Sequence, residues 1–437
     1  MVLLSEYGLN CENSGHENAV IFQRAVDLGG DVYVDKPGIY VLDETIYLKS
    51  NTKIIFCAGS YIKRERNKGE TGYVFINEGA YNNEYNENIT LSGLKLICND
   101  VCSEHANEDS KKVIMGLSGH VCFSYIKRLV ISDFECLDLP AKDFGIQISS
   151  FEDVLVENVH IEGRKDGVHF GPGKRFVLRH ATFKTFDDPI ALNSYDYSIS
   201  NPAVGWIEDG IIEDCCDLDD IDTDGYFCRM SAGGWVEWFS GMEVQWSDTV
   251  SYNGRLYRVV LGNPDGKTYK SFNPPDHEKG YKKIDGITWY MFGEGSSGSC
   301  GCRNISFRDI YLEKKRGYVI SMSSSKNAWC RNYYPNAEVA VHENISFENV
   351  RCKNNIKSLI YSASPFKNIT FTNCTFDVGN IFLDNINTDG MIYPTADITI
   401  DRCDFKNGID ELIVCEKGRN VNLKVIQTQD KNFNNDK

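Results

Sequence analysis

The sequence lacks the long apolar runs and the basic clusters that mark membrane and nucleic-acid-binding proteins. No stretch approaches the roughly 18 consecutive apolar residues of a membrane-spanning helix. Lysine and arginine number 46 against 62 aspartates and glutamates, which gives a net charge of −16. Nucleic acids and anionic membrane surfaces bind clustered cations. We therefore expect neither a nucleic acid nor a membrane as a partner.

Zinc-type cysteine spacing is also absent, although the chain holds 16 cysteines. The close pairs are Cys215-Cys216 and Cys300-Gly-Cys302, and neither is joined by a second pair at the spacing of a zinc site. We interpret most cysteines as buried free thiols and expect no metal and no cofactor.

The N-terminal MVLLSEYGLNCENSGHEN meets polar residues too early for a signal peptide. This predicts a cytoplasmic protein, or a secreted one if a signal was removed.

The chain does contain a strand-turn unit that repeats along its length. Its apolar residues recur at the same three offsets, as Leu91, Leu94 and Leu96 do in one copy. Short β-rich segments separated by turns are typical of strands rather than helices. The closest copies are NITLSGLKL from Asn88, NISFRDIYL from Asn304, NISFENVRC from Asn344 and NITFTNCTF from Asn368.

The period of the unit is clearest in the middle of the chain. Ile146, Val168 and Ile190 occupy equivalent places in FGIQI, DGVHF and DPIAL, at intervals of 22 residues. A period in the low twenties with several short strands per unit predicts an all-β fold, a right-handed parallel β-helix. Leucine-rich repeats have a similar period, but their L-x-x-L-x-L-x-x-N signature is missing.

A helix is predicted to close the N-terminal end of this solenoid. The apolar spacing from Glu17 to Leu28 is that of an amphipathic helix, and Gly29-Gly30 would end it. A soluble β-helix must cover its open ends, so we expect this helix to act as a cap. We predict one β-helix domain over residues 1–437.

One stretch interrupts the repeat. Over residues 233–299 the unit disappears, and Asn253-Gly254 and Asp265-Gly266 are hairpin signals. We predict an inserted β-meander there, after which the solenoid resumes.

Three aspartates fall in register with the period. Asp166 and Asp188 each stand two residues before an equivalent strand position, and Asp187 precedes Asp188. Successive coils stack about 4.8 Å apart, so these carboxylates should lie side by side and the pKa of at least one should rise. Glycosidases use such groups as proton donor and as base or nucleophile, although aspartate is also a common turn residue. Asparagine at any of the three should leave stability unchanged or raise it, because repulsion is relieved.

The sequence resembles glycoside hydrolase family 28, the polygalacturonase-like enzymes, over most of the chain. RKDGVHF, which contains Asp166, resembles the family's Asn-Thr-Asp-Gly motif. TFDDPIAL, which contains Asp187 and Asp188, resembles its Asp-Asp motif one coil later, and NAVIFQRAVDLGGDVYVDKPGIYVLDETIYLKSN resembles its opening segment. The resemblance implies hydrolysis of a glycosidic bond with inversion. It implies that Asp187 is the general acid and that Asp166 and Asp188 activate the attacking water.

The sequence departs from the family at several positions that would contact substrate. His169 stands where the family has a further aspartate, and GYFCRMSAGG replaces its Gly-His-Gly motif. That segment offers Tyr226 and Arg229 instead. The family's Arg-Ile-Lys, which grips the substrate carboxylate, corresponds to Val319-Ile320-Ser321.

These departures bear on the substrate, which we expect to be an oligosaccharide or polysaccharide. Without the two family cations, the cleaved residue should be a neutral sugar, or a uronate held by other cations. Candidates for that contact are Arg164, Lys165 and Arg229. Further candidates lie in the aromatic-rich loop AWCRNYYPNAE, namely Arg331, Tyr333 and Tyr334. Aromatic residues at the start of the insertion would form its core or face the cleft: Trp235, Trp238 and Trp246.

Two other classes of function stay open. A polysaccharide lyase needs a basic proton abstractor, usually with calcium, and Arg229 is the candidate. DIDTDG from Asp220 resembles a calcium loop, but its twelfth position is Ser231 and no helical pattern flanks it, which favours a polar turn. A non-catalytic carbohydrate-binding protein would keep the fold without needing acids in register.

Polygalacturonan is predicted to be a poor substrate. Val319 and Ser321 stand where two substrate-gripping cations are expected, so an unmodified galacturonate would have weak anchorage. The measurement is release of galacturonic acid from polygalacturonan, beside a panel of neutral oligosaccharides. Robust release would show that other cations have taken over the contact.

Overall fold

The computed structural model of the protein is a right-handed parallel β-helix, as the repeat predicts. It describes residues 1–65, 72–102, 113–219, 223–260, 267–323, 331–354, 356, 358–377, 379–384, 392–406 and 411–428. The strands stack as three parallel ladders, with one strand of each ladder contributed by each coil. No helix among these residues is long and apolar enough to cross a membrane.

The register predicted from the 22-residue period is confirmed. Ile146 pairs with Val168, and Val168 pairs with Ile190, in adjacent parallel strands. Farther along, the same row continues through Cys228 and Ile320. The side chains of this row are buried. Equivalent residues therefore form one continuous stripe of the core.

The first ladder carries this row. Its own strands are Ile46–Leu48, Phe75–Asn77, Val168–Phe170, Ile190–Asn193, Cys228–Ser231, Tyr318–Ser323, Ser358–Ser362, Ile381–Leu383 and Ile413–Cys415. The second ladder follows it in each coil. Its own strands are Val2–Leu3, Gly30–Val34, Thr52–Phe56, Asn86–Ser92, Glu343–Glu348, Asn368–Thr372, Ala396–Asp401 and Val421–Ile426.

The third ladder completes each coil, and long strands turn the corners between ladders. Its own strands are Gly38–Leu42, Ser60–Arg64, Lys95–Ile97, Arg351–Cys352, Thr375–Phe376 and Asp404–Phe405. Strands that span more than one ladder are Gly119–Leu139, Phe144–Gly163, Gly173–Thr185, Ile207–Asp217 and Cys302–Leu312.

Stacked rings fill part of the interior. Phe307, Phe347 and Phe371 are successive members of one row of the second ladder. Their ring centroids are 4.9 and 4.8 Å apart and the rings are nearly parallel. The coil spacing thus matches the distance at which offset aromatic rings attract each other.

Asparagines form a second stack, on the outside. Asn304 and Asn344 have left-handed backbones with φ of 57° and 55°, which asparagine tolerates better than most residues. The Asn344 side-chain amide donates to Asn304 Oδ1 at 3.0 Å, and the Asn368 amide donates to Asn344 Oδ1 at 3.0 Å. The repeated asparagines are thus stacked turn residues that bond to each other's side chains.

The capping helix is present and spans Gly15–Asp27. It begins two residues before the predicted Glu17 because Ser14 caps it. The Ser14 hydroxyl accepts from the Glu17 amide at 3.3 Å, and the Glu17 carboxylate accepts from the Ser14 amide at 2.9 Å. Phe22 and Val26 face the core and are fully buried. Two short 3-10 helices lie at Leu4–Tyr7 and Glu78–Tyr81.

The described residues of the interrupted stretch form a six-stranded inserted sheet and a separate two-stranded sheet, which pairs Met242–Val244 with Tyr269–Ser271. The strands of this stretch are Gly233–Glu237, Met242–Val244, Thr249–Tyr252, Arg255–Val259, Tyr269–Ser271, Gly280–Ile284, Ile287–Glu294 and Gly298–Cys300. Most pairs are antiparallel, but Gly233–Glu237 pairs in parallel with Thr249–Tyr252, which a plain meander would not show. The solenoid resumes at Cys302. The division into one domain with an insertion stays a prediction.

One of the two predicted hairpin turns lies in the six-stranded inserted sheet. Asn253 and Gly254 have φ of 49° and 74°, as a two-residue hairpin turn requires. The predicted turn at residues 265–266 lies outside the described residues. A turn that was not predicted, at Asp285-Gly286, joins Gly280–Ile284 to the next strand.

The described cysteines are unpaired, and ten of the fifteen are buried. Several sit in core rows, such as Cys136 between Leu96 and Ile161. They act there as small apolar side chains. The interpretation as buried free thiols is confirmed for these residues.

Truncation of the central stacked ring should destabilise the solenoid. Phe347→Ala removes a ring in contact with both neighbours and should lower the free energy of unfolding by about 3–5 kcal/mol. The control Phe272→Ala, at a ring that is 59% exposed, should change it by less than about 0.5 kcal/mol. Chemical denaturation followed by circular dichroism compares the two. Equal effects would contradict a continuous packed core.

Candidate active site

The fold brings the three aspartates together. Asp166 and Asp188 precede strands Val168–Phe170 and Ile190–Asn193. The Gly167 amide donates to the Asp188 carbonyl at 2.9 Å, which fixes the two turns side by side. One carboxylate oxygen from each of Asp166, Asp187 and Asp188 lies within 4.8 Å of the others. The expected stacking of carboxylates is therefore observed.

A lysine compensates part of this negative charge. Lys165 Nζ lies 3.1 Å from Asp166 Oδ1 and also donates to Asp187 Oδ2. Its side chain is 19% exposed. Three carboxylate oxygens at this spacing could hold a divalent cation. Here the ammonium group of Lys165 already bridges two of them, so the cluster carries a cation of its own.

The three carboxyl groups differ in environment. Asp166 and Asp188 are almost fully buried, whereas the Asp187 side chain is 31% exposed. Burial, followed by the charges of Asp166 and Asp187, raises the pKa of Asp188 well above its usual value. Burial and the charge of Asp166 also raise the pKa of Asp187, against the opposing effect of Lys165.

Asp166 shifts in the other direction. Burial alone would raise its pKa, but the Lys165 ammonium group and a hydrogen bond from His169 lower it below the usual range. The site thus combines one ionised carboxylate with two carboxyl groups that hold a proton more tightly. Glycosidases separate an acid from a base by this kind of difference in environment.

His169 is part of the cluster. Its Nδ1 lies 3.2 Å from Asp166 Oδ2 and its Nε2 lies 3.4 Å from the Asn193 side-chain amide. The ring stacks on Phe144 with centroids 4.2 Å apart. These contacts orient the imidazole so that it supports Asp166.

Arg229 lies near the carboxylates but is paired. Its guanidinium donates to Asp196 Oδ1 at 3.1 Å. Asp196 also accepts from the Asn193 amide at 2.8 Å. Although burial lowers the pKa of Arg229, the charge of Asp196 and other nearby anions raises it above its usual value.

Asp196 and Asn193, which contact Arg229 and His169, were not predicted, and neither was Tyr197, which lies close enough to Lys165 to influence the pKa of that lysine. They belong to the strand Ile190–Asn193 and to the excursion over residues 194–206 that follows it. The sequence does indicate that extra residues are inserted here, because the spacing from Ile190 to the next residue of the same row, Cys228, is 38 rather than 22 residues. Loops that project from a regular scaffold often carry functional residues, so this excursion is a place to look for site residues.

Tyr226 connects the site to an aromatic ladder. Its backbone amide donates to Asp188 Oδ1 at 2.7 Å. Its ring is the first of four along the coils, with centroids 5.9, 5.2 and 5.8 Å apart: Tyr226, Tyr318, Tyr361 and Phe382. The centroid distances leave no room for a sugar ring between neighbouring members of this ladder.

Arg164 lies beside the site without joining the cluster. It is exposed, and its guanidinium lies 5.3 Å from the Phe186 ring centroid. It therefore packs on the turn that carries Asp187 and contacts an aromatic ring rather than a carboxylate.

The loop residues expected to contact substrate lie in a second core. Arg331 donates to Asp248 Oδ1 at 3.0 Å and stacks on the Tyr334 ring at 4.7 Å. The hydroxyls of Tyr333 and Tyr334 donate to backbone carbonyls at 2.5 and 3.0 Å. Both tyrosines are buried among residues of the inserted sheet. The structure does not bring these three to the carboxylates, and their contacts are those of packing residues.

The insertion reaches the site through Trp246. This ring stacks on Tyr197 with centroids 6.0 Å apart. Arg258, fully buried, donates to the carbonyls of Asp196 and Asn201 and thereby holds the excursion. The indole N–H groups of Trp235 and Trp238 donate to Ser296 and Ser271, both within the insertion. Residues 220–222 of the calcium-like segment lie outside the described residues.

Comparison with protein-family profiles and with curated protein sequences gave no match. Similar solved structures exist at low sequence identity. The catalytic domain of Agl-KA aligns with a TM-score of 0.50 and 11% identity, covering 97% of this chain and 68% of that chain.

Two polygalacturonases also align. The family 28 exopolygalacturonase of Yersinia enterocolitica gives a TM-score of 0.47 and 12% identity, covering 98% of this chain and 77% of its own. The polygalacturonase of Erwinia carotovora ssp. carotovora gives 0.45 and 11%, covering 92% of this chain and 93% of its own. At such identities the likeness is one of fold, the right-handed parallel β-helix. Membership of family 28 stays a prediction.

The opposite pKa shifts predict opposite effects on stability. Folding raises the pKa of Asp188, so this residue's contribution to the free energy of unfolding falls as pH rises above about 4, the usual aspartate value. Asp188→Asn should therefore raise the melting temperature at pH 7 and change it little at pH 3.5. The lowered pKa of Asp166 contributes stability that is present at neutral pH and lost on acidification. Asp166→Asn should therefore lower the melting temperature at pH 7.

This differs from the expectation, drawn from repulsion alone, that all three asparagine variants are neutral or stabilising. The reason is that Asp166 is the carboxylate with two partners, Lys165 and His169. Melting curves of both variants and the wild type at pH 3.5 and 7 make the measurement. Equal shifts for the two variants would contradict the assigned environments.

Proposed function

We propose that the protein is a glycoside hydrolase that uses Asp187 as proton donor and Asp166 as the ionised carboxylate. The observation that carries the proposal is the cluster itself: three carboxyl groups within 4.8 Å whose pKa values shift in opposite directions. Asp187 is the member most accessible from solvent and has a raised pKa, as a general acid requires. Asp166 is buried, ionised and held by two partners, as suits a base.

The reaction would proceed by displacement at the anomeric carbon. As the bond from that carbon to the leaving oxygen breaks, Asp187 transfers its proton to the leaving oxygen. Water forms the new carbon–oxygen bond, and its proton passes to Asp166. Asp188, fixed by the Tyr226 amide, would hold the water with Asp166. Donor and base exchange protons with solvent before the next turnover.

The stereochemical course of the proposed reaction is inversion. Three carboxyl groups allow one to donate while two hold a water. The separation argues for the opposite course: the carboxylate oxygens lie within 4.8 Å of one another, which is nearer the value of about 5 Å typical of retaining enzymes, in which the second carboxylate is the nucleophile. Retention is therefore the alternative. Proton NMR of the first-formed anomer distinguishes the two courses.

A neutral sugar is the favoured substrate class. Within the described part of the chain, both cations at the cluster already have anionic partners: Lys165 contacts Asp166 and Asp187, and Arg229 contacts Asp196. A uronate carboxylate would have to displace one of these partners or bind Arg164, which is exposed beside the cluster. A neutral oligosaccharide needs only hydrogen bonds, which the hydroxyl groups beside the site can supply.

The lyase alternative is disfavoured by the same electrostatics. A proton abstractor works best with a pKa near the operating pH. The carboxylates around Lys165 outweigh the effect of its burial and raise its pKa above the usual lysine value, and the pKa of Arg229 is raised as well. Neither cation would lose its proton readily at neutral pH. A purely carbohydrate-binding protein would not require a buried, repelling carboxylate cluster.

Replacement of the proposed donor is the direct test. Asp187→Asn should lower turnover by a factor on the order of 10² to 10⁴, the usual contribution of general acid catalysis. The loss should be smaller for aryl glycosides with good leaving groups, because these need less protonation. Asp166→Asn should lower turnover regardless of leaving group, since it acts on the water.

The control is Asp133→Asn, at an exposed aspartate of another coil with a left-handed backbone, which should keep full activity. Turnover is measured on natural and activated glycosides, with thermal melting beside it. If activity losses follow melting temperature in all variants, the aspartates are turn residues and the proposal is wrong.

A further inference from the structure

A buried ion pair interrupts an otherwise apolar row next to the site. Asp217 occupies the interior position of the third ladder between Phe183 on one coil and Leu312 on the next. Its partner is Arg316, whose Nε and terminal nitrogen donate to the two Asp217 oxygens at 2.6 and 3.1 Å. Both side chains are 1% exposed.

Arg316 uses its remaining donors on the turn that carries Asp187. Its guanidinium donates to the Thr185 carbonyl at 3.0 Å and to the Asp187 carbonyl at 3.2 Å. It also donates to the Thr223 hydroxyl at 2.9 Å. One side chain thus reaches from its own coil past the next one to the turn of the carboxylates.

Neighbouring side chains complete this grip. Lys314 Nζ donates to the Thr185 carbonyl at 2.8 Å, and the Thr223 hydroxyl donates to the Phe186 carbonyl at 3.1 Å. The carbonyls of three consecutive residues, from Thr185 to Asp187, are therefore all bound by side chains of the two following coils.

Stability alone does not account for the pair. Two charges in a protein interior lose hydration, and well-packed apolar residues at the same places are often as stabilising or more so. The same row holds phenylalanine and leucine on the adjacent coils, so an apolar residue fits the position. What apolar residues cannot supply is the set of hydrogen bonds to the Asp187 turn.

We infer that Arg316, held by Asp217, is a positioning residue that fixes the turn of Asp187 and Asp188 for catalysis. This inference rests on the proposed function. Catalytic groups must be held close to their productive geometry, and a displacement of about 1 Å can cost on the order of 100-fold in rate. Arg316 does not touch the reacting atoms and acts through the backbone that carries them.

The test uses a double variant that keeps the core filled. Asp217→Leu/Arg316→Met removes both charges and restores the apolar row, so it should melt no earlier than the wild type. Its kcat on the best glycoside of the panel should fall on the order of 10- to 100-fold, with KM nearly unchanged. Arg316→Lys keeps the charge and some donors and should recover part of the loss.

The matched control is Arg419→Met. Arg419 is another buried arginine, and it donates to the carbonyls of Ser362 and Asp384 on coils beyond the site. It is also stacked on an aromatic ring, 4.3 Å from the centroid of Tyr393. Its loss should lower stability without a specific fall in kcat.

A second readout does not depend on turnover. Hydrogen exchange followed by mass spectrometry should show faster exchange in the peptide around residues 183–192 of the double variant, with other peptides unchanged. A double variant with wild-type kcat and wild-type exchange overturns the inference. If the wild type hydrolyses none of the glycosides, the proposed function fails, and the exchange result still decides whether Arg316 fixes the turn: unchanged exchange overturns it.

Discussion

The parallel stacking of coils at one fixed spacing is the constraint on which the rest of the structure depends. Each side chain has an equivalent neighbour on the coil above and on the coil below. The residue type at one position therefore affects the packing and the charge at the same position of the next coil. Apolar rows gain from this, as the stacked phenylalanines show. Carboxylate rows suffer from it, because like charges are brought together. The cluster at Asp166 and Asp188 therefore exists only with compensating groups around it.

The chain's own groups compensate the negative charge of the cluster, and they do so unequally for Asp166 and Asp188. Lys165 and His169 both contact Asp166, while Asp188 is bound by a backbone amide. One carboxyl group is thereby kept ionised and another is pushed toward protonation. Lys165, the cation that contributes to this difference, already pairs with Asp166 and Asp187 and would have to leave one of them to bind an anionic sugar. The proposed roles of the acids and the proposed neutral substrate thus rest on the same electrostatic arrangement.

The sequence was informative wherever the repeat was regular. The register of Val168 and Ile190, and with it the meeting of the aspartates, follows from spacing alone. Tyr197 could not be placed, because the excursion that carries it has no counterpart in the repeat. Arg331 was predicted to contact substrate because the sequence of an aromatic-rich loop is similar whether the loop packs into a core or binds a sugar. Asp217 could have been noticed in the sequence, since it is a charged residue at a position of its repeat unit where other units have an apolar residue.

Arg258 joins parts of the chain that are distant in sequence. It lies in the inserted sheet, yet its guanidinium is bound by the carbonyls of Asp196 and Asn201 in the excursion. A graft of either segment onto another solenoid would strand a buried guanidinium or leave carbonyls without a donor. The two segments should therefore be transplanted, shortened or recombined as a single unit.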